Sequence, residues 1–323
     1  MLRRTLIGGL AASTALIAAP VAFAQGYPEK PVRLVVPFAP GGTTDIIARV
    51  VAGKLTDFGQ TMVVENKAGG GGVIGATDTA RSKPDGYSLG IATVSTIATV
   101  PAIQPKTPYN PLTDFTPIIN IAATPNVITV HPSFPAKDFQ SFVAELKSNP
   151  EKYSFASTGH GSITHLLMEL FMSLSGTKMT HIAYKGAGPA LNDVVGGQVT
   201  IMLDNLPSSL PFIKQGRLVP IVVAAPERLK DLPNVPTFKE VGLEPVNRVA
   251  FYGIYGPKGL PKEVVDKVHG AVKKTLDDPT VRARIEETGS IIIGNTPEEF
   301  GQEIKTEFDV YHKVVEERQI KPD

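Results

Sequence analysis

The sequence predicts an α/β protein of two units, each built on a mainly parallel sheet. Strand-like and helix-like segments alternate from residue 33 to residue 93 in the order β-α-β-α-β, and a similar series runs from residue 126 to residue 225. Alternation of this kind is typical of parallel strands covered by helices, with ligands bound at the carboxyl ends of the strands. About 300 residues follow an N-terminal leader, which is enough for two domains of ordinary size.

The first unit begins with residues 33–37, RLVVP, an apolar run typical of a buried strand. From Thr44 onward, apolar residues recur close to a 3.6-residue period as far as Phe58, which predicts a helix that Gly59 can end. The segments that follow indicate a strand at 62–66, a helix at 73–81 and a strand at 87–93.

The second unit continues the alternation, and helices follow it. Its predicted strands are 126–132, 153–157, 181–184, 199–204 and 218–225, and its predicted helices are 138–148, 162–174 and 189–195. Helical segments after residue 251, among them 279–288 and 297–317, lack a full sheet of their own, so we expect them to pack on the first unit. Lobe 1 is then discontinuous, with residues 25–122 and 250–323, and lobe 2 has residues 123–249. The crossings near 121–127 and 246–251 suit a hinge.

Residues 1–24 have the pattern of a secretory signal peptide. Two arginines precede an apolar stretch at 6–19, and the A-x-A sequence at 22–24 predicts cleavage after Ala24. A membrane anchor is the alternative, but the apolar run is shorter than the roughly 20 residues that a spanning helix needs. We therefore expect a protein that is exported across the cytoplasmic membrane and released.

Composition and charge exclude several function classes. The chain contains no cysteine, so it has no disulfide framework, no thiolate metal site and no cysteine nucleophile. It has 32 basic residues, two of them in the leader, and 31 acidic residues. This balance argues against nucleic-acid binding, which needs clustered positive charge.

Three loops of small residues, at 38–45, 157–162 and 185–189, each follow a predicted strand and precede a predicted helix. Each loop can present backbone N–H groups and hydroxyls at the positive end of a helix dipole, which favours anions. The first loop lies in one unit and the other two in the second, so the pattern predicts a cleft that holds carboxylates from both sides. The alternative is that the glycines serve ordinary tight turns.

Three charged residues near these loops admit two interpretations each. Asp45 either contacts the ligand or favours the first turn of its helix through the dipole. Asp204 ends a strand, where it either accepts a hydrogen bond from the ligand or caps the following turn. Lys185, a cation within the three loops, either contacts the ligand or is simply solvated.

A dinucleotide site is disfavoured although residues 70–75 match G-x-G-x-x-G. The preceding strand is not the N-terminal one, and the next strand, at 87–93, contains no acidic residue. We therefore predict no cofactor.

A hydrolase and a metal site are also disfavoured. Ser162, His165 and Asp204 have the residue types of a catalytic triad, with Ser157 or Ser95 as other candidate nucleophiles, but the sequence has no G-x-S-x-G elbow. Ser162 is as readily the N-cap of a helix. The histidines at 160 and 165 do not form H-E-x-x-H and have no further histidine beside them in the sequence, so we predict no metal ligands.

The sequence resembles the substrate-binding receptors of tripartite tricarboxylate transporters, the Bug-type periplasmic proteins. The resemblance is carried in order by VRLVVPFAPGGTTDIIAR, VENKAGGGGVIGA, KPDGYSLGIAT, FASTGHGSITHLLMELF, HIAYKGAGPALNDVVGGQV and the C-terminal segment that begins PKGLPKEVVDKVHG. It extends over essentially the whole chain after the leader.

The resemblance implies a type II, two-lobed periplasmic binding fold that closes like a flytrap on a small organic acid. It implies ligands such as citrate, dicarboxylates, acidic amino acids or aromatic carboxylates, held by amides, hydroxyls and ordered water. The partner is a membrane permease with one large and one small subunit, and we expect a monomer. A sensory role beside a membrane sensor is an alternative that the sequence leaves open.

The resemblance also places the three loops in the cleft and adds a residue at the end of the third strand. The candidate ligand-binding residues are Phe38, Ala39, Pro40, Gly41, Gly42, Thr43, Asp45, Ser95, Ser157, Thr158, Gly159, Ser162, Lys185, Gly186, Ala187 and Asp204.

Overall fold

The computed structural model describes residues 26–55 and 57–320, which form two β-sheets with helices packed on them. The predicted signal peptide and its cleavage site lie outside the described residues. The strands are β1 Val32–Val36, β2 Met62–Asn66, β3 Ser88–Thr93, β4 Phe115–Thr124, β5 Asn126–Val130, β6 Ser154–Ser157, β7 Thr180–Ala183, β8 Ile201–Asn205, β9 Val219–Ala224, β10 Ala250–Pro257 and β11 Ile291–Ile292.

The helices come between and after these strands. They are α1 Thr43–Ala52, α2 Val73–Ala80, α3 Val100–Ile103, α4 Phe139–Ser148, α5 Ile163–Ser175, α6 Ala187–Val195, α7 Leu206–Lys214, α8 Lys262–Asp277, α9 Pro279–Glu286 and α10 Pro297–Arg318. Short 3-10 turns occur at Gly70–Gly72 and Glu244–Val246, and a π-helical turn occurs at Ser95–Thr99.

Each sheet belongs to one lobe. The first sheet has the strand order β11-β4-β10-β3-β1-β2, and we call it, with its helices, lobe 1. The second sheet has the order β7-β6-β8-β5-β9, and we call it, with its helices, lobe 2. Helices α8, α9 and α10 pack on lobe 1, as expected, because α8 and α10 contact β4 while α9 contacts α1 and β11.

The sheets are mixed, so the prediction of mainly parallel sheets is wrong in this respect. In lobe 1, β1 is parallel to β2 and β3, but β10 is antiparallel to β3 and β4, and β11 is antiparallel to β4. In lobe 2, β6 is parallel to β7 and β8, but β5 is antiparallel to β8 and β9. The antiparallel strands arise because the chain crosses between lobes along β4 and β5 and re-enters lobe 1 along β10.

The buried character of β1 follows from its sequence. Val32, Leu34, Val35 and Val36 are all buried, as expected for a strand that pairs on both edges and is covered on both faces. The exception, Arg33, is half-buried and pairs with acidic side chains at the surface. This strand leads directly into the first of the predicted loops.

Helix α1 is shorter than predicted. It ends at Ala52, and the N–H of Gly53 donates to the carbonyl of Arg49 at 2.9 Å. Glycine is a poor helix former, so the periodic apolar residues beyond it do not extend the helix. Phe58 is nevertheless fully buried, as its position in that pattern indicated.

Candidate ligand-binding site

A small cavity of about 20 Å³ lies between the two lobes, close to the least volume that holds one water molecule. Lobe 1 lines it with Phe38, Gly42, Thr43, Thr44, Thr93, Val94, Ser95, Ala250 and Tyr252, and lobe 2 lines it with Thr158, Ile163, Ala187 and Asn205. None of these lining residues carries a charge. The wall is instead rich in hydroxyl groups and backbone amides.

Three helices begin at this cavity. Helix α1 starts at Thr43, α5 at Ile163 and α6 at Ala187, and all three residues line the cavity. The first N–H groups of a helix have no partner within it, and the helix dipole places partial positive charge there. Gly42 and Gly186, the N-caps of α1 and α6, supply no side-chain hydrogen bond to those amides. The two lobes together therefore present a positive potential suited to an anion.

Hydrogen bonds across the cavity hold the lobes together. The N–H of Ile163 in lobe 2 donates to Ser95 Oγ of lobe 1 at 3.0 Å. The N–H of Ala39 in lobe 1 donates to the carbonyl of Lys185 at 2.9 Å. The loops at 38–45 and 185–189 are therefore in direct contact, so the structure shows the two lobes closed on each other.

Asp204, at the end of β8, is a fully buried carboxylate behind the cavity wall. Its Oδ2 accepts hydrogen bonds from the hydroxyls of Ser208 and Ser209, both at 2.7 Å. The Ser208 hydroxyl also lies 2.9 Å from Thr43 Oγ1 in lobe 1. Burial raises the pKa of Asp204 to about 6, although the two serine hydroxyls favour the ionised form. The Ser208 hydroxyl therefore links the Asp204 carboxylate to Thr43 of lobe 1.

Tyr252, on β10, lines the cavity and was missed in the sequence analysis. Burial, and to a smaller extent the nearby charge of Asp204, raises the pKa of Tyr252 well above its usual value, so the hydroxyl keeps its proton and can donate it in a hydrogen bond. Antiparallel pairing of β10 with β3 places Tyr252 opposite Thr93. No local pattern in the sequence links residues 250–257 with β3, and no strand is predicted there from the sequence.

The remaining lining residues that were missed are Thr44, Thr93, Val94, Ile163, Asn205 and Ala250. Thr44 lies inside the first predicted loop, and Ile163 and Asn205 each follow a predicted residue. A selection that added the residue after each predicted one would have included these three.

The sequence as a whole matches the family described as "Tripartite tricarboxylate transporter family receptor", over residues 47–320. That span is most of the chain. The protein belongs to this receptor family. The family is one of periplasmic solute-binding receptors, and the two-lobed fold of this receptor is that of a periplasmic binding protein.

The receptor is similar to characterised and solved proteins along nearly its full length. It is 34% identical to Protein BugT of Bordetella pertussis over 319 residues, or 98% of each chain. The structure of a periplasmic transporter is 50% identical with a TM-score of 0.90, and it covers 92% of this chain and 100% of its own.

Two further solved structures contain a named ligand. R. palustris Rpa4515 with adipate is 32% identical, with a TM-score of 0.88 and coverage of 92% of this chain and 100% of its own. MatC from Rhodopseudomonas palustris with bound malate is 33% identical, with a TM-score of 0.86 and coverage of 90% and 100%.

Within the described residues, 26–55 and 57–320, the receptor has no helix with the length and apolar character needed to cross a membrane.

Six of the sequence-predicted site residues line the cavity, and the others do not. The six are Phe38, Gly42, Thr43, Ser95, Thr158 and Ala187. In the first loop, Ala39 and Pro40 contact the 185–188 loop of the other lobe, and Gly41 N–H donates to Asp45 Oδ2 at 3.1 Å.

Asp45 is engaged within lobe 1. Its carboxylate accepts hydrogen bonds from Arg49 and Asn66, at 2.9 to 3.0 Å. Burial alone would raise the pKa of Asp45, but these bonds and the one from Gly41 N–H hold it below its usual value. Of the two interpretations of Asp45, this geometry favours the local structural one.

The predicted residues of lobe 2 outside the cavity have local roles. Ser157 Oγ lies 2.7 Å from His181 Nε2, and the backbone of Gly159 packs against Gly71 of lobe 1. Gly186 is the N-cap of α6, and the Lys185 side chain is exposed while its carbonyl bonds to lobe 1.

The candidate triad is not assembled. Ser162 is the N-cap of α5, and its Oγ accepts from the N–H of His165 at 3.4 Å. The Asp204 carboxylate is bound to Ser208 and Ser209, as described above. The residue types that suggested a hydrolase therefore serve helix capping and the wall of the cavity.

Replacing Ser162 by alanine tests this structural role. We expect the free energy of unfolding to fall by about 1 kcal/mol, because the N-cap acceptor of α5 is lost. Urea unfolding of the receptor measures the change, and Ser162→Thr, which keeps the acceptor, is the control. An unchanged stability combined with the loss of an ester-hydrolysing activity would contradict the capping role and favour a hydrolase.

Proposed function

We propose that this receptor captures a small organic acid with two or more carboxylates between its lobes and delivers it to the permease subunits of a tripartite tricarboxylate transporter. The observation that carries the proposal is the convergence of three helix N-termini, from both lobes, on one uncharged and hydroxyl-rich cavity. One carboxylate binds at the start of α1, and another binds at the starts of α5 and α6.

The hydroxyl groups around the cavity set the orientation of the acid. Thr43, Thr44 and Ser95 lie in lobe 1 with the Tyr252 hydroxyl, and Thr158 lies in lobe 2. Neutral donors of this kind bind carboxylates with less directional constraint than a bidentate arginine does, and water can complete the contacts. Adipate and malate in the two related structures are both dicarboxylates, which supports this ligand class.

Ligand entry requires the lobes to separate. A cavity of about 20 Å³ is too small for a dicarboxylate, since it holds at most a water molecule or two. We assign residues 25–122 and 250–323 to one rigid body and 123–249 to the other, with hinges near 121–127 and 246–251. The ligand-bound form is therefore closed less tightly than this structure, and the ligand stabilises it because both sets of helix N-termini contact the acid only when the lobes close around it.

The proposal includes the protein's location, its oligomeric state and its lack of catalysis. We infer that the protein reaches the periplasm through cleavage after Ala24, acts there as a monomer, and has no catalytic role. A receptor that reports to a membrane sensor would use the same cavity. In a strain that lacks the cognate permease, a cellular response to the acid that still depends on the receptor would indicate the sensory role, and its loss would indicate the transport role.

A thermal-shift screen of the chain from Gln25 onward tests the ligand class. Dicarboxylates and tricarboxylates at 100 times their dissociation constant are expected to add about 2.7 kcal/mol to the free energy of unfolding, visible as a clear rise in Tm. Monocarboxylates of equal length serve as controls, because they engage only one side of the cavity. A response to amines or sugars in preference to acids would contradict the proposal.

Solution scattering tests the closure. The receptor with a dicarboxylate from the screen is expected to have a smaller radius of gyration than the ligand-free receptor. An identical scattering curve in both states would contradict a hinge-bending mechanism.

A further inference from the structure

Three imidazole rings come together in lobe 2, beside the 157–163 loop. His160 follows β6, His165 lies in α5 and His181 lies in β7, and one nitrogen of each lies within 4.8 Å of the others. The rings of His165 and His181 stack with centroids 3.8 Å apart and planes 10° apart. His160 and His165 are close in the sequence, whereas the parallel pairing of β6 with β7 brings His181 to them.

The surroundings of these rings are polar. His160 Nδ1 is buried and has no hydrogen-bond partner among the described parts of the chain. Glu169 Oε1 lies 3.7 Å from His165 Nε2. The site therefore combines three imidazoles with a nearby carboxylate, a set of nitrogen and oxygen donors.

We propose that His160, His165 and His181 bind a divalent transition-metal ion such as Zn²⁺, with water as the fourth ligand and Glu169 facing the other nitrogen of His165. Imidazole suits zinc, copper and nickel, and three histidines with one oxygen ligand form a common tetrahedral zinc site. Zinc-bound nitrogens in a tetrahedron are roughly 3.3 Å apart, so side-chain rotations must bring the most distant pair closer by about 1.5 Å. The stacked rings of His165 and His181 must also turn out of their parallel planes, because the in-plane lone pairs of stacked imidazoles do not converge on one metal ion.

Neighbouring groups help to orient two of the rings. Ser157 Oγ lies 2.7 Å from His181 Nε2, and a hydrogen bond between them helps to fix the orientation of this ring. The Nδ1 of His165 accepts a hydrogen bond from Gly161 N–H at 3.1 Å. One lone pair cannot serve both partners, so a metal at this nitrogen displaces the Gly161 amide.

The Gly161 residue also connects the metal site with lobe 1. The carbonyl of Gly161 accepts a hydrogen bond from the hydroxyl of Thr99, in the π-helical turn of lobe 1, at 2.8 Å. The metal site nevertheless differs from the ligand cavity, because Ser157 contacts His181 while the next residue, Thr158, lines the cavity. A surface groove of about 850 Å³, lined by Glu169 and His181 among others, connects the cluster with solvent.

Metal titration of the untagged receptor tests the proposal. The expected result is one equivalent of Zn²⁺ bound per chain by calorimetry at pH 7.5, and visible absorption bands of tetrahedral Co²⁺ when cobalt replaces zinc. His160→Gln and His181→Gln are each expected to weaken Zn²⁺ binding by about 100-fold or more, since loss of even an outer-shell partner costs 10- to 100-fold.

The chain provides matched controls. His131 and His269 lie outside the cluster, and His131→Gln and His269→Gln should bind Zn²⁺ as the unmodified receptor does. Circular dichroism establishes that each variant is folded. Equal Zn²⁺ affinity in all four variants, or no bound metal in the unmodified receptor, would overturn the proposal, whichever ligand the cavity takes.

Discussion

Replacing Gly188 by alanine is expected to weaken dicarboxylate binding by 10- to 100-fold while leaving both lobes folded. Gly188 lies in the first turn of α6, and a Cβ added there would lie 2.1 Å from the carbonyl oxygen of Pro40 in the other lobe. The contact occurs only when the lobes are closed, and overpacking of this kind costs about 1 to 3 kcal/mol. Within α6 itself the change is favourable, because alanine is a better helix former than glycine.

Gly270→Ala is the matched control for this prediction. Gly270 also lies in a helix, α8, and a Cβ added there meets no heavy atom within 4 Å. Calorimetry with a dicarboxylate should give the unmodified affinity for Gly270→Ala, and scattering should show that liganded Gly188→Ala stays more open than the liganded receptor. Normal affinity and normal closure in Gly188→Ala would mean that the 40–41 and 187–188 segments do not meet in the ligand-bound state.

The elements that the sequence predicted well are those with local patterns. Strands β1, β2 and β3 are apolar runs between turns, and α5 begins at an N-cap, so a few neighbouring residues determine each of them. The β4 and β10 strands were missed for a different reason. They pair antiparallel with each other across more than a hundred residues, and a single sequence contains no sign of such pairing.

The residues of the candidate site also fall into two groups, those that a local pattern predicts and those that depend on strand pairing. Glycine-rich turns between a strand and a helix predicted where the helix N-termini converge, because the chemistry of those turns is local. The contribution of Tyr252 depends on the register between β10 and β3, and the meeting of His181 with His160 depends on the pairing of β6 with β7. The interpretation of Asp45 that the structure favours depends on its hydrogen bond with Asn66, which lies on a neighbouring strand and has no local link to Asp45 in the sequence.

Replacing Asp204 by asparagine is expected to remove a pH dependence of stability worth about 3 kcal/mol. The pKa of this buried carboxyl is raised to about 6, compared with 3.8 when unperturbed, and each unit is about 1.4 kcal/mol. A raised pKa means that the folded state binds the proton more tightly than the unfolded state. The resulting stabilisation is fully present below about pH 4 and is lost as the pH rises through 6.

The measurement is the free energy of unfolding in urea at pH 4 and pH 7.5. Asparagine does not titrate, so the free energy of Asp204→Asn minus that of the unmodified receptor should be about 3 kcal/mol larger at pH 7.5 than at pH 4. Asp266→Asn is the control, since Asp266 is exposed and pairs with Lys262 at the surface. The same difference at both pH values would show that folding does not raise the pKa of Asp204.

Ligand binding should also depend on the protonation of Asp204. An anionic dicarboxylate in the cavity lies near Asp204, which is linked to Thr43 of the cavity wall through the Ser208 hydroxyl. Like charges repel, so binding favours the protonated carboxyl, and affinity should rise as the pH falls from 7.5 to 5.5. Asp204→Asn should show only the change in affinity that follows from protonation of the acid itself, so the difference between the two proteins isolates the effect of Asp204. An affinity that falls at low pH in the unmodified receptor would instead indicate that the ionised Asp204 accepts a hydrogen bond from the ligand, as an amino or hydroxy acid would require.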